Sequence, residues 1–276
     1  MMGFAASPIF PPRPVVAEKN YTTQLGAGLG MVPETLELLR IWEPGMAPSA
    51  LADLAVQTGV FARATARRAR NLAAEMFAPR YLAHGGEVAA RLRFLVSRRF
   101  PPDGLLQLFF IQTARAQRIL ADFVIEVYWP KYSAGATSVT KLDAVTFIQR
   151  ALDAGRMEKR WSESIVHRVS GYLLGCCSDF GLLDSSTSPR PIKRFSIRRD
   201  VSLYLVHDLH FSGMSDRDVV HHGDWRLFGL EPAEVLLLVH SLSHDGHVVV
   251  QSGADLVQIS WKYRSMEECL NALTQR

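Results

Sequence analysis

Past residue 20, apolar residues recur mostly three and four apart, the spacing of helices with one buried face. From Pro33 onward, Leu36, Leu39 and Ile41 form such a cluster, and Pro44 stops it. Ser49 is placed to cap a short helix over 50–58, in which Leu51, Leu54 and Ala55 share a face and which Gly59 ends. A second helix is predicted from about 63 to 76, with Ala62, Ala66, Ala69, Leu72, Ala73 and Met76 in one arc. Two short helices joined by a tight, glycine-containing turn form the pattern of a helix-turn-helix.

After Pro101 and Pro102, Asp103 caps a predicted long helix that runs to about Trp129 and stops at Pro130. Thr140 and Asp143 have the spacing of a capping box and open a helix ending near Gly155. Another helix is predicted over 162–180, closed by Gly181, with Cys176 and Cys177 as small core residues. The polar, proline-bearing stretch 185–191 is the expected domain boundary. Beyond it come a helix over 201–211, a helix capped by Ser215 with Asp218, and a leucine-rich helix from Pro232 to before Gly246. The runs 248–251 and 256–261 flank Ser252, Gly253, Ala254 and Asp255 as a hairpin. The expected fold is therefore mainly α and multi-modular. It comprises a Pro-rich arm (1–20), an N-terminal helical domain with the helix-turn-helix (21–100), a central helical bundle (101–184) and a C-terminal winged-helix-like module ending in a β-hairpin (185–276).

Composition narrows the class. Of 276 residues, 48% are hydrophobic and 21% charged, which excludes general disorder, a collagen repeat and a coiled-coil rod. The charge-free run 20–33 is mixed polar and glycine-rich, and 104–114 is broken by Gln107, Gln112 and Thr113. Neither approaches the about 20 apolar residues that a bilayer requires, so no membrane-spanning helix and no membrane partner are expected. No cationic region precedes an apolar run at the N-terminus, so no secretory signal is expected. Three cysteines, two of them adjacent, do not make a disulfide framework, and a reducing, cytoplasmic setting is expected.

The net charge of +4 is unevenly spread. Residues 61–100 carry nine basic and two acidic side chains, whereas 201–276 carry five and ten. On the second helix, Arg63, Arg67 and Arg70 fall in an arc beside the alanines and Arg68 stands on the other flank. No acid sits three or four positions from any of them. Arg91, Arg93, Arg98 and Arg99 extend the charge, and Arg190, Lys193 and Arg194, followed by Arg198 and Arg199, echo it. Arginine offers a planar fork of donors to phosphates and guanine edges, so these residues are the candidate nucleic-acid surface. The competing reading is a solvated helix and a solvated linker. The third helix of the C-terminal module has Glu234, Ser241, His244 and Asp245 but no Lys or Arg, and its hairpin loop offers Asp255. That face fits a protein partner better than phosphates.

Catalytic signatures are missing. Gly26, Gly28 and Gly30 place Met31 where a dinucleotide fingerprint needs its third glycine, and no strand precedes them, so they read as a turn. Seven of nine histidines lie between 207 and 247, including His207 with His210, His221 with His222, and His240 with His244. They occur without H-E-x-x-H or C-x-x-C spacing. There is no Walker loop and no G-x-S-x-G. No enzyme activity, cofactor or metal is expected.

The segments LGAGLGMVPETLELL, TARRARNLAAEMFAPR, ILADFVIEVY, SGYLLGCCSDFGLL, DWRLFGLEPAEVLLLVHSLS and QISWKYRSMEECLNAL, in that order from about residue 21 to 273, resemble the BrxA family of BREX bacteriophage-defence systems. The resemblance implies a mainly helical, non-enzymatic protein similar to the NusB antitermination factor. It also implies binding to double-stranded DNA alongside other BREX subunits, with the family's basic helix falling on Arg63, Arg67, Arg68 and Arg70. The spaced glycines depart from the double-glycine opening of the family. The expected function is a DNA-binding accessory subunit. The alternatives are a protein–protein scaffold of the defence complex, or a NusB-like RNA binder for which Phe61, Phe77 and Tyr81 would be the aromatics beside the arginines. The oligomeric state is left open.

Overall fold

The computed structural model describes residues 21–27, 30–62, 64–253 and 256–275. The arm 1–20, Arg63 and Asp255 lie outside the described residues.

Among the described residues, the N-terminal part up to Ser97 contains four α-helices. Helix α1 (Val32–Ile41) carries Pro33 in its first turn and buries Leu38 and Leu39. Helix α2 (Pro48–Gln57) begins at the proline, with Ala47 as its cap residue, so Ser49 lies inside it instead of capping it. Proline suits the first turn, where a backbone N–H has no partner in any case. Helix α3 (Ala66–Asn71) starts later than predicted, because the Thr65 side chain accepts a hydrogen bond from the Arg68 N–H at 3.2 Å and sets its first turn. It continues into a π-wound segment (Leu72–Leu82) that accommodates Pro79. Helix α4 (Glu87–Ser97) follows, entered through Gly86 at φ 80°, where a Cβ would stand 2.7 Å from the Trp42 ring.

The central bundle departs from the single long helix predicted. Helix α5 (Pro102–Ala116) stops at Gln117, whose ψ of 85° is not helical. The chain restarts as α6 (Arg118–Phe123), passes through a π-wound turn (Val124–Tyr128) and ends in α7 (Trp129–Ser133). Pro130 does not stop it; it occupies the first turn of α7, where its missing N–H costs little. Strand β1 (Ser138–Val139) leads to α8 (Lys141–Asp153), opened by the complete Thr140–Asp143 capping box, and α9 (Glu163–Asp179) packs on α8. Strand β2 (Arg190–Pro191) pairs antiparallel with β1, pinning the end of the 185–191 stretch to the central bundle.

The C-terminal part contains α10 (Arg199–Phe211), α11 (Asp216–His221), a 3₁₀ turn (Gly223–Phe228) and α12 (Pro232–His244). Strands β3 (Val248–Gly253) and β4 (Leu256–Trp261) pair antiparallel from Val248 opposite Trp261 to Gly253 opposite Leu256. The module does not end at that hairpin. Ser265 caps a further helix, α13 (Met266–Thr274), which buries Cys269, Leu270 and Leu273 and packs against α10 and α4. The molecule is thus mainly helical, with two small antiparallel strand pairs among the described residues.

One buried apolar cluster runs from Tyr21 to Leu273 and includes residues of 21–100, 101–184 and 185–276. At its centre the Phe110 ring meets Phe180, Phe195 and Phe228 at centroid distances of 5.4, 5.8 and 5.9 Å. The buried core therefore crosses the expected boundary at 185–191. Among the described residues no helix is long and apolar enough to cross a membrane.

Candidate nucleic-acid interface

Helix α3 follows the predicted periodicity only in part, because Ala62 and Ala66 of the expected apolar arc are exposed. Ala69, and Leu72, Ala73 and Met76 in the segment that continues it, are buried, and the helix packs on α2. Arg67, Arg68 and Arg70 are exposed. Arg67 and Arg68 have no acidic partner among the described residues. Arg70 meets Asp53 of α2 at 3.7 Å, with both side chains more than half exposed, a pair worth little in water. The helix thus presents three guanidinium groups to solvent.

On α4 the four predicted arginines separate. Arg98 and Arg99 are exposed at its C-terminal end, Arg98 lying 5.4 Å from the centre of the Phe94 ring and Arg99 held at φ 57°. Arg93 is half-buried and without an acidic partner among the described residues. Arg91 is engaged internally. Its guanidinium donates to Asp208 at 2.6 Å and also reaches Glu87 at 3.3 Å. Arg115 of α5 donates to the other Asp208 oxygen at 2.8 Å and to Asp224 at 2.7 Å, and His222 lies 3.4 Å from Asp224. Burial pushes the Asp224 carboxyl up, but Arg115 and His222 outweigh it and hold it at about 2. Burial opposes the charge of Arg115 as well, yet its two carboxylates raise it above the ordinary guanidinium value. These residues line a cleft of about 550 Å³ whose charges are already matched. Arg91 is a structural tie between α4 and α10, not a free phosphate contact.

The second basic cluster divides in the same way. Arg190 donates to the Leu174 carbonyl at 3.1 Å and to the Ser178 Oγ at 2.5 Å, so it holds the end of α9. Lys193 and Arg194 are exposed. Arg198 is paired with Asp200 at 2.8 Å, and Arg199 with Asp245. Asp208, which holds Arg91 together with the local Glu87, lies 117 residues away along the chain, and the Leu174 carbonyl that holds Arg190 lies 16 residues away.

The remaining expectations take definite places. Phe77 and Tyr81 are fully buried and offer no stacking face beside the α3 arginines, while Phe61 packs partly buried against the core. Cys176 and Cys177 are buried; burial pushes the Cys176 thiol up to about 12 and raises Cys177 as well. His207 and His210 pack against Trp261, and His221 bonds the Arg217 carbonyl. Among the described residues no three His, Cys, Asp or Glu side chains come together as a metal site. The Gly30 N–H donates to Asp179 at 2.9 Å, and a Cβ there would stand 2.6 Å from the Asp179 Cβ, so this glycine serves close packing on α9. On the acidic side, Glu231 and Glu234 cap the start of α12, while Leu237 of α12 and Val249 of β3 are 70% and 56% exposed.

A solved structure of an uncharacterized protein from Magnetospirillum magneticum is similar over 76% of this chain and 98% of that one, with a TM-score of 0.58 and 15% identity. That is a likeness of fold alone. No curated protein matches the chain. The family model for BrxA matches residues 19–208, which span α1 to α9 and most of α10. With more than half of its length matched, the chain belongs to the BrxA family of BREX bacteriophage-defence proteins.

Proposed function

We propose that this protein is a non-enzymatic accessory subunit that binds duplex DNA through phosphates, using the α2–α3 pair as a helix-turn-helix. The observation that carries the reading is the exposed row Arg67, Arg68 and Arg70 on a helix packed against α2, whose nearest counter-charge is the exposed Asp53, 3.7 Å from Arg70. Arg93, Arg98 and Arg99 extend the positive surface, and Lys193 and Arg194 supply a smaller one; Arg91 and Arg190 are excluded because their guanidinium groups are used inside the fold. Burial of Phe77 and Tyr81 favours duplex over single-stranded nucleic acid at α3, since unpaired bases need exposed rings. The C-terminal winged-helix-like part, with exposed Leu237 and Val249 and an acidic balance, is the side offered to other BREX subunits.

The test is fluorescence anisotropy of a labelled duplex of about 25 base pairs, long enough for two half-sites one helical turn apart. Wild type is expected to bind with an affinity that falls steeply with salt. The Arg67→Ala/Arg68→Ala/Arg70→Ala variant is expected to bind far more weakly, and its log–log salt slope to flatten by about 0.9 for each phosphate no longer neutralised. Absence of low-salt binding by wild type, or equal binding by the variant, overturns the reading.

A further inference from the structure

Helices α8 and α9 enclose a cleft of about 320 Å³ on a part of the molecule unrelated to the α3 arginines. Its apolar lining is Val145, Leu152 and Val166. Half-buried Trp161 forms one wall, and exposed Arg160, Gln149 and His167 supply the polar groups. Glu163 is the one acid in the lining; it stands 88% exposed and meets His167 at 3.8 Å. Arg160 and its neighbour Lys159 have no acidic partner among the described residues, and the Trp161 indole N–H has no acceptor there. By contrast Trp42, Trp129, Trp225 and Trp261 all donate theirs within the fold.

A flat ring beside a guanidinium, an amide that both donates and accepts, and an apolar floor together fit a planar, hydrogen-bonding ligand attached to an anion. A nucleobase with its phosphate has that chemistry. The base must be unpaired, because a stacked and paired base does not offer its face to an indole. We infer that the Trp161 cleft binds an unpaired nucleobase of single-stranded nucleic acid, with Arg160 and Lys159 holding the adjacent phosphates. The site uses none of the residues proposed for duplex DNA, so either reading stands or falls without the other.

The full-length protein is titrated with labelled oligo-dT and oligo-U of about 15 nucleotides, the upper range of a single-strand site, and separately with the duplex. Wild type is expected to bind at least one single strand, with quenching of tryptophan emission that disappears in Trp161→Phe. Trp161→Ala is expected to weaken that binding about tenfold, the scale of one base–aromatic stack. Trp161→Phe retains most of it, Arg160→Gln weakens it with a flatter salt dependence, and duplex affinity stays within about twofold in all three. DNA against RNA is decided by which strand binds. Failure of wild type to bind either strand at low salt overturns the inference. So does unchanged binding by both Trp161→Ala and Arg160→Gln, or an equal loss on the duplex. If Trp161→Ala melts early by circular dichroism, the exposed Arg160→Gln and the wild-type quenching decide.

Discussion

His207 is fully buried on α10, its ring packed among Phe211, Trp261 and Tyr263. Its Nδ1 pairs with the Leu203 carbonyl at 2.8 Å, and its Nε2 is buried without a hydrogen-bond partner. Burial drives the imidazole down to about 4, with nearby His210 and His247 adding to the effect and the Leu203 bond opposing it. The folded ring is neutral where an unfolded histidine takes up a proton. This contribution is therefore complete above about pH 6.5 and is lost as pH falls toward 4, on the order of 3 kcal/mol in all. Urea unfolding is expected to show wild type losing stability between about pH 7 and about pH 4.5, with a smaller loss in His207→Phe. Equal pH dependence in the two proteins would refute that assignment. In the sequence His207 is one of seven clustered histidines; only the aromatic rings brought from β4 and the segment after it make it a core residue.

At the scale of elements, the start of α8 shows what local pattern specifies. Thr140 accepts from the Asp143 N–H at 3.1 Å, and Asp143 accepts from the Thr140 N–H at 2.7 Å. Burial pushes the Asp143 carboxyl up, but Lys131 at 2.9 Å and both Thr140 bonds prevail and hold it below the ordinary range. Thr140→Ala is expected to cost about 1 kcal/mol, measured by chemical denaturation. Such caps depend on groups three residues apart, so T-x-x-D is readable here, and S-M-E-E at Ser265 carries the same signal for α13, the helix beyond the expected hairpin end. The break at Gln117 leaves no comparable mark. Residues 104–114 of α5 are buried almost all round, so no polar face records where the helix stops.

Across the whole molecule, Arg91, Arg115, Asp208 and Asp224 tie α4, α5, α10 and the 3₁₀ turn together through carboxylates that are about nine-tenths buried. Removing one partner strands a buried charge, which costs more than the pair itself contributes. Arg115→Met is expected to destabilise the protein by about 3–5 kcal/mol, and adding Asp224→Asn is expected to recover part of the loss, since Asp208 keeps Arg91. Thermal melts of the single and double variants check this; no recovery in the double variant would show that the loss is one of packing.

The mainly helical class, most helix positions and the two-faced character of α3 are legible along the chain, because periodicity and capping act within one or two turns. The order of the chain's segments also identifies the BrxA family. Which arginines are free is settled by the fold instead. Arg67 faces solvent, whereas Arg91, to which the local sequence offers only Glu87 four positions before it, finds Asp208 across 117 residues. The same holds for Trp161, whose cleft exists only where α8 meets α9. A side chain's chemistry is written locally, while its availability depends on which distant segment folds against it.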